Sequence, residues 1–137
     1  MSTAVILGTL CAYRLPRVSG NKAWRLGAAL FWIAAGANHF ANPRFYTAIV
    51  PPPIDQWKTQ VNVLAGAAEL GGGIAVLPER TRRGARWWLL VTLVAVYPAN
   101  INMAVRPERY PKFRKELLWA RLPVQGLFAW LTWRGTE

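Results

Sequence analysis

Apolar residues in this chain come in long blocks, with no alternation of the strand kind. Four blocks stand out: Ala23–Phe40, Gln60–Leu77, Gly84–Val105 and Leu117–Trp133. Each approaches the length of about 20 mainly apolar residues that a membrane-spanning helix needs. A soluble four-helix bundle would carry a charged stripe along every helix. The run from Trp87 to Tyr97 has no charge on any face. The pattern predicts an all-α chain, an integral membrane four-helix bundle with antiparallel neighbours joined by short connections. Residues 23–137 form that domain, and residues 1–22 form a separate N-terminal segment.

Each block is interrupted by one conspicuously polar residue: His39, Glu69, Asn100 and Arg121. An ionisable side chain in a lipid-spanning helix costs about 2.5–3.5 kcal/mol on insertion scales, so it faces the bundle interior and marks a site. Alternating helix directions put the end of span one, the start of span two, the end of span three and the start of span four on one side. His39, Asn100, Asn102, Arg121 and Gln125 sit near that side, and Glu69 lies about 13 Å in at 1.5 Å per residue. All fall in one half of the bilayer, the outer half in the orientation argued below. Ala65, Glu69 and Gly73 share a helix face, a small-residue stripe that lets another helix approach closely. Tyr97, Asn100 and Ala104 share a face of the third helix, and Arg121 and Gln125 one of the fourth. Pro98 should interrupt the third helix by freeing a carbonyl one turn earlier. Such a kink would open a pocket.

The connection Ala41–Thr59 is the other distinctive element. Asn42-Pro43 ends the first helix, Phe45–Val50 is apolar, and Pro51-Pro52-Pro53 is expected to stiffen into a polyproline-like stretch. The segment is either a lid over the polar cluster or a hairpin touching lipid headgroups. Thr3–Tyr13 is apolar but too short to span, and has neither a basic leader nor a small-residue cleavage site. It is read as a short interfacial or partly inserted helix, with a fifth span or a poorly ordered tail as the alternatives.

Composition supports the membrane reading. Hydrophobic residues make up 53% of the chain, and seven of the eight tryptophans fall at block ends, where Trp favours the membrane interface; only Trp32 is mid-block. The net charge of +11 would suggest nucleic acid in a soluble protein. Here Arg80, Arg82, Arg83, Arg86 and Arg106, Arg109, Lys112, Arg114, Lys115 fill the connections, so the predicted partner is the lipid surface and no nucleic acid. Nine Lys/Arg on the side of both termini against seven on the other favour cytoplasmic termini in a bacterial-type inner membrane.

Several chemistries are excluded or unsupported. The one cysteine, Cys11, rules out an intramolecular disulfide and a Cys-x-x-Cys motif. The single His gives no metal or haem site. Gly71-Gly72-Gly73 lacks the context of a phosphate loop and is assigned to helix packing.

The segments Ala35-Gly-Ala-Asn-His-Phe40, Gly66-Ala-Ala-Glu-Leu-Gly-Gly72, Thr81-Arg-Arg83, Tyr97-Pro-Ala-Asn-Ile-Asn-Met-Ala104 and Arg121-Leu-Pro-Val-Gln125 resemble the DoxX-like family of small four-helix membrane proteins. The resemblance covers residues 24–133. It implies an accessory role in a membrane redox system linked to quinol, with other redox subunits as partners. It offers His39, Glu69, Asn100 and Arg121 as candidate site residues.

The candidate ligand-binding set is therefore His39, Glu69, Asn100, Arg121, Gln125 and Tyr97, with Pro98 and Gly71–Gly73 structural. Glu69 is expected to pair with Arg121, either as a register-fixing ion pair or as part of a site. His39 would pass protons, while Asn100 and Gln125 would orient a carbonyl-bearing ligand such as a quinone. The first function is a redox-accessory or lipophilic-ligand protein. A small membrane enzyme using Glu69 and His39 in acid–base chemistry is the second, with no motif naming a reaction. A transporter is the third, disfavoured because no polar path continues through the inner half. Exposed aliphatic faces leave room for a homo-oligomer.

Overall fold

The computed structural model describes residues 19–137. The N-terminal segment, including Thr3–Tyr13 and Cys11, lies outside them. The described chain is all-helical. Four long helices, α1 (Gly20–Ala41), α3 (Lys58–Ala75), α4 (Glu79–Val105) and α5 (Lys115–Gly135), are accompanied by the short α2 (Pro43–Ala48). A kinked 3-10 segment at Pro52–Trp57 and a single 3-10 turn at Pro107–Arg109 complete the connections. Every predicted block is a helix, extended by a few residues at one or both ends in most cases.

The long helices pack in a ring, α1 on α3, α3 on α4, α4 on α5 and α5 back on α1. Contacts fix their directions. His39 meets Asn62 while Trp32 meets Gly73, so α1 and α3 are antiparallel. Asn100 meets Arg121 and Arg86 meets Thr136, which does the same for α4 and α5. Glu69 on α3 and Arg121 on α5 thus belong to diagonal helices.

Glycines set the closest approach. A Cβ on Gly36 would strike the backbone N of Leu70 and lie 2.7 Å from the carbonyl O of Gly66; one on Gly73 would lie 2.8 Å from the backbone N of Ile33. Gly72 leaves room for Leu89, whereas Gly71 faces open space. The glycine run therefore packs through its second and third members only.

Two apolar cores sit at opposite ends of the bundle. Ala29, Trp32, Val76, Ala85, Leu89 and Leu93 form one, with Phe31 and Phe128 against it. Buried Trp32 donates its indole N–H to Thr132 Oγ1 at 2.9 Å. Ile49, Met103, Tyr110 and Leu118 form the other, where the Ala41–Thr59 connection folds inward. Tyr110 donates to the carbonyl of Ala48 at 2.8 Å and Asn102 Nδ2 to that of Ile49 at 3.2 Å, which pins the connection to the bundle.

Two expectations are corrected. α4 runs unbroken through Pro98, so the proline is absorbed within the helix. Only Pro51 is extended, and Pro52 starts a 3-10 turn in place of a polyproline stretch, because proline at a first turn loses no hydrogen bond. Among the described residues one helix, Glu79–Val105, is long and apolar enough by itself to cross a membrane. Polar and small residues such as Asn38, Asn62 and Gln125 dilute the other three.

The glycine contacts predict opposite outcomes at two positions on neighbouring helices. Gly36→Val should lose about 1–3 kcal/mol or more, the range for overpacking, since the obstacle is backbone that cannot rotate away. Gly71→Ala should be neutral or gain up to about 1 kcal/mol from helix propensity. Thermal unfolding of the two variants beside the parent checks both signs.

Candidate functional site

Between the two cores lies a cavity of about 240 Å³. An apolar hole of about 150 Å³ is enough for benzene, so this one has room for a ring-bearing group. Phe31, Trp32, Leu93, Val96 and Phe128 wall one end, and Ile49, Val50 and Ile54 from the connection roof the other. His39, Tyr46, Asn62, Glu69, Asn100, Arg121 and Gln125 also line it. Five of the six predicted site residues are thus brought together.

Tyr97 is the exception. It lies on the outer face of α4 in a shallow groove beside Leu122 and Pro123, with 37% of its surface exposed. Three residues separate it from Asn100, but the cavity takes only the Asn100 edge of that face.

His39 and Glu69 are both buried, with Nε2 of His39 3.5 Å from Oε2 of Glu69. Asn62 holds the imidazole from the other side. Its Nδ2 donates to the backbone carbonyl of His39 at 3.1 Å, which leaves its Oδ1, 2.8 Å from Nδ1, as an acceptor. Nδ1 must therefore carry a proton, a tautomer assigned by the bond network. Nε2 of the ring is thereby the nitrogen turned toward the Glu69 carboxyl.

Tyr46 covers this pair. Its ring stacks on the imidazole with centroids 3.7 Å apart, and its hydroxyl accepts from Asn38 Nδ2 at 2.7 Å. Burial pushes the Tyr46 phenol above its ordinary value of 10.0; the Asn38 hydrogen bond opposes this, the Glu69 charge adds to it and Arg121 works against it. Tyr46 stays a neutral phenol at physiological pH. Burial likewise raises the Tyr110 phenol, against the pull of Arg109, Arg106 and its bond to Asn102.

The expected Glu69–Arg121 pair is absent, and Glu69 faces His39 instead. The ring order explains it: α3 and α5 are diagonal, with the cavity between them, whereas α1 and α3 touch through Gly36, Gly66 and Gly73. Arg121 donates from Nε at 3.3 Å and Nη2 at 3.1 Å to Asn100 Oδ1, and its guanidinium lies 5.9 Å from the Phe45 ring. Asn100 therefore turns to α5 and does not fill the carbonyl gap made by Pro98. Among the described residues no cluster of His, Cys, Asp and Glu could hold a metal ion.

A family model described as a domain of unknown function, DUF8561, matches residues 27–136. The chain belongs to the DUF8561 family. No curated protein and no solved structure matches it. The DUF8561 match takes in every residue of the cavity lining. It also spans Thr81 and Arg82, which cap the C-terminal end of α3 by donating to the carbonyls of Ala75, Val76 and Leu77 at 2.7–3.2 Å.

Sequence reading missed two of the site's members. Asn62 is an amide in the first turns of its block, a signal of the same kind as Asn100. Tyr46 carried none, since an aromatic in an apolar connection has many uses.

Asn62→Ala should leave Nδ1 and the carbonyl of His39 without a partner, at a cost of about 1–3 kcal/mol. Chemical unfolding measures it, and a variant as stable as the parent would show that the clamp is dispensable. A raised phenol gives stability that is whole below the unfolded value of 10.0 and is lost as pH climbs through the folded value. As pH rises from 10.0 toward the folded value, the parent should therefore weaken more steeply than Tyr46→Phe does.

Proposed function

We propose that this DUF8561 protein is an integral membrane four-helix bundle that holds a lipophilic, carbonyl-bearing ligand, of which a quinone is the leading type, in the cavity between its two cores. The membrane setting is supported by where the exposed apolar surface lies. Leu30, Leu64, Val91, Val94 and Leu127 are more than half exposed along the helix middles. Exposed Trp57 and Trp119 stand at one end of the bundle and exposed Trp87, Trp88, Trp130 and Trp133 at the other. An outward aliphatic band between two tryptophan belts suits a bilayer and would be a severe aggregation liability in water.

The single observation that carries the ligand reading is the composition of the cavity. Ligand sites pair an apolar wall with a few convergent polar groups, and here the facing side chains of His39 and Glu69 meet Asn100, Gln125 and Arg121 across an otherwise apolar space. A carbonyl oxygen could accept from Asn100, Gln125 or Arg121, and the His39–Glu69 pair could deliver or withdraw a proton as the ligand changes redox state. The DoxX-like resemblance and its quinol-linked accessory role fit this chemistry, with other membrane redox subunits as partners. The same pair supports a second reading, an enzyme doing acid–base chemistry on an apolar substrate in the same cavity.

Reconstituted protein titrated with a short-tailed benzoquinone or naphthoquinone tests the first reading. Binding should weaken by about tenfold, or 1.4 kcal/mol, in both His39→Ala and Glu69→Gln. Glu69→Gln keeps the shape of the side chain, so unchanged affinity in that variant alone would already sink the proposal.

A further inference from the structure

Beside the cavity, a groove runs between α1 and α5, walled by Phe31, Ala34, Val124 and Phe128, with Arg121 and Asn100 at its polar end. We propose that this groove is a second binding site, for a single-chain amphiphile whose oxyanion head, carboxylate or phosphate, is set on Arg121. The proposal rests on the membrane reading given above.

Arg121 carries the argument. It stands six residues into α5, about 9 Å from the helix start at 1.5 Å per residue. Its side chain is exposed at the groove, while its Nε and Nη2 are both spent on one neutral amide oxygen of Asn100. That fixes the guanidinium and leaves its charge uncompensated: the nearest intramembrane carboxylate, Glu69, faces His39 across the cavity. Among the described residues no acidic side chain lies within 4.0 Å of Arg121. A cation at this depth in hydrocarbon is costly and gains from a counter-charge, and a guanidinium takes carboxylate or phosphate through parallel N–H bonds. The apolar remainder of the groove suits an alkyl chain lying along the bundle.

Tyr46 lines both the groove and the cavity. Asn100, Arg121 and Gln125 also line both, so the groove opens into the cavity, whereas His39, Asn62 and Glu69 line the cavity alone. That difference allows the two sites to be tested apart.

Protein in phosphatidylcholine nanodiscs is titrated with hexadecanoate, hexadecyl phosphate and, as the neutral counterpart, hexadecanol. The parent should bind both anions at least about tenfold more tightly than the alcohol, and the tighter of the two names the headgroup. Arg121→Gln should abolish the preference, Arg121→Lys should keep part of it, and Glu69→Gln should leave it intact. Acetate or inorganic phosphate should not compete, and competition by either would overturn the amphiphile in favour of a soluble anion. Equal affinity for all three probes, or a preference that survives Arg121→Gln, would overturn the site. Failure of the membrane premise has its own signature, release of the protein from membranes by an alkaline carbonate wash. Failure of the cavity reading shows only in the quinone titration.

Discussion

Burying a histidine and a glutamate face to face is the constraint on which the site depends. Each would be costly alone in a low-dielectric setting, and breaking a buried pair by removing one partner typically costs about 3–5 kcal/mol. The imidazole of the pair is held in place by its neighbours. Asn62 closes the far side of the imidazole with two hydrogen bonds, and Tyr46 shields its face. The separation of 3.5 Å further requires α1 and α3 to meet at backbone distance. Gly36 and Gly73 permit that approach, and Gly66 gives the room occupied by the Cβ of His39.

From that contact the rest of the arrangement follows. With α1 and α3 drawn together by glycine, larger side chains fill the remaining interior in two separate places, around Trp32 at one end and around Met103 at the other. The gap between them is the cavity. The connection from Ala41 to Thr59 closes it from above, held by Tyr110 and Asn102, whose partners are backbone carbonyls and so fix the chain and not merely a side chain. The geometry is that of a pinned roof.

Much of this was legible in the sequence, because block length and the isolation of polar residues are properties of single segments. Four helices, their approximate limits, their alternation and the common depth of His39, Glu69, Asn100 and Arg121 follow from counting residues. Rotation of a helix about its axis is harder to read. Tyr97 and Asn100 are three residues apart, and only Asn100 is turned to the cavity, since an outward-facing position tolerates Tyr as readily as a buried one. Pro98 misled for a related reason: one missing N–H does not break a helix held on both sides by its neighbours. Gly71 misled because two of three adjacent glycines suffice to serve two neighbouring helices.

The error over Glu69 and Arg121 shows what was available but unused. Opposite charge at equal depth invites pairing, yet in an up-down bundle with short connections the second and fourth helices are diagonal. A pair across the diagonal would have to bridge the interior, and two side chains reaching inward would fill the space that is now the cavity. Pairing Glu69 with His39 on the adjacent helix instead keeps the carboxylate at the wall and leaves the interior open. It also separates two kinds of chemistry. The buried His39 and Glu69 side chains face each other at one wall, while Arg121 keeps a permanent charge on the far wall, anchored by an amide that cannot neutralise it. A bundle built only for stability would have no use for that division, because an uncompensated arginine beside an empty space is a cost with no return within the chain. The cost becomes intelligible if something from outside the chain completes the charge.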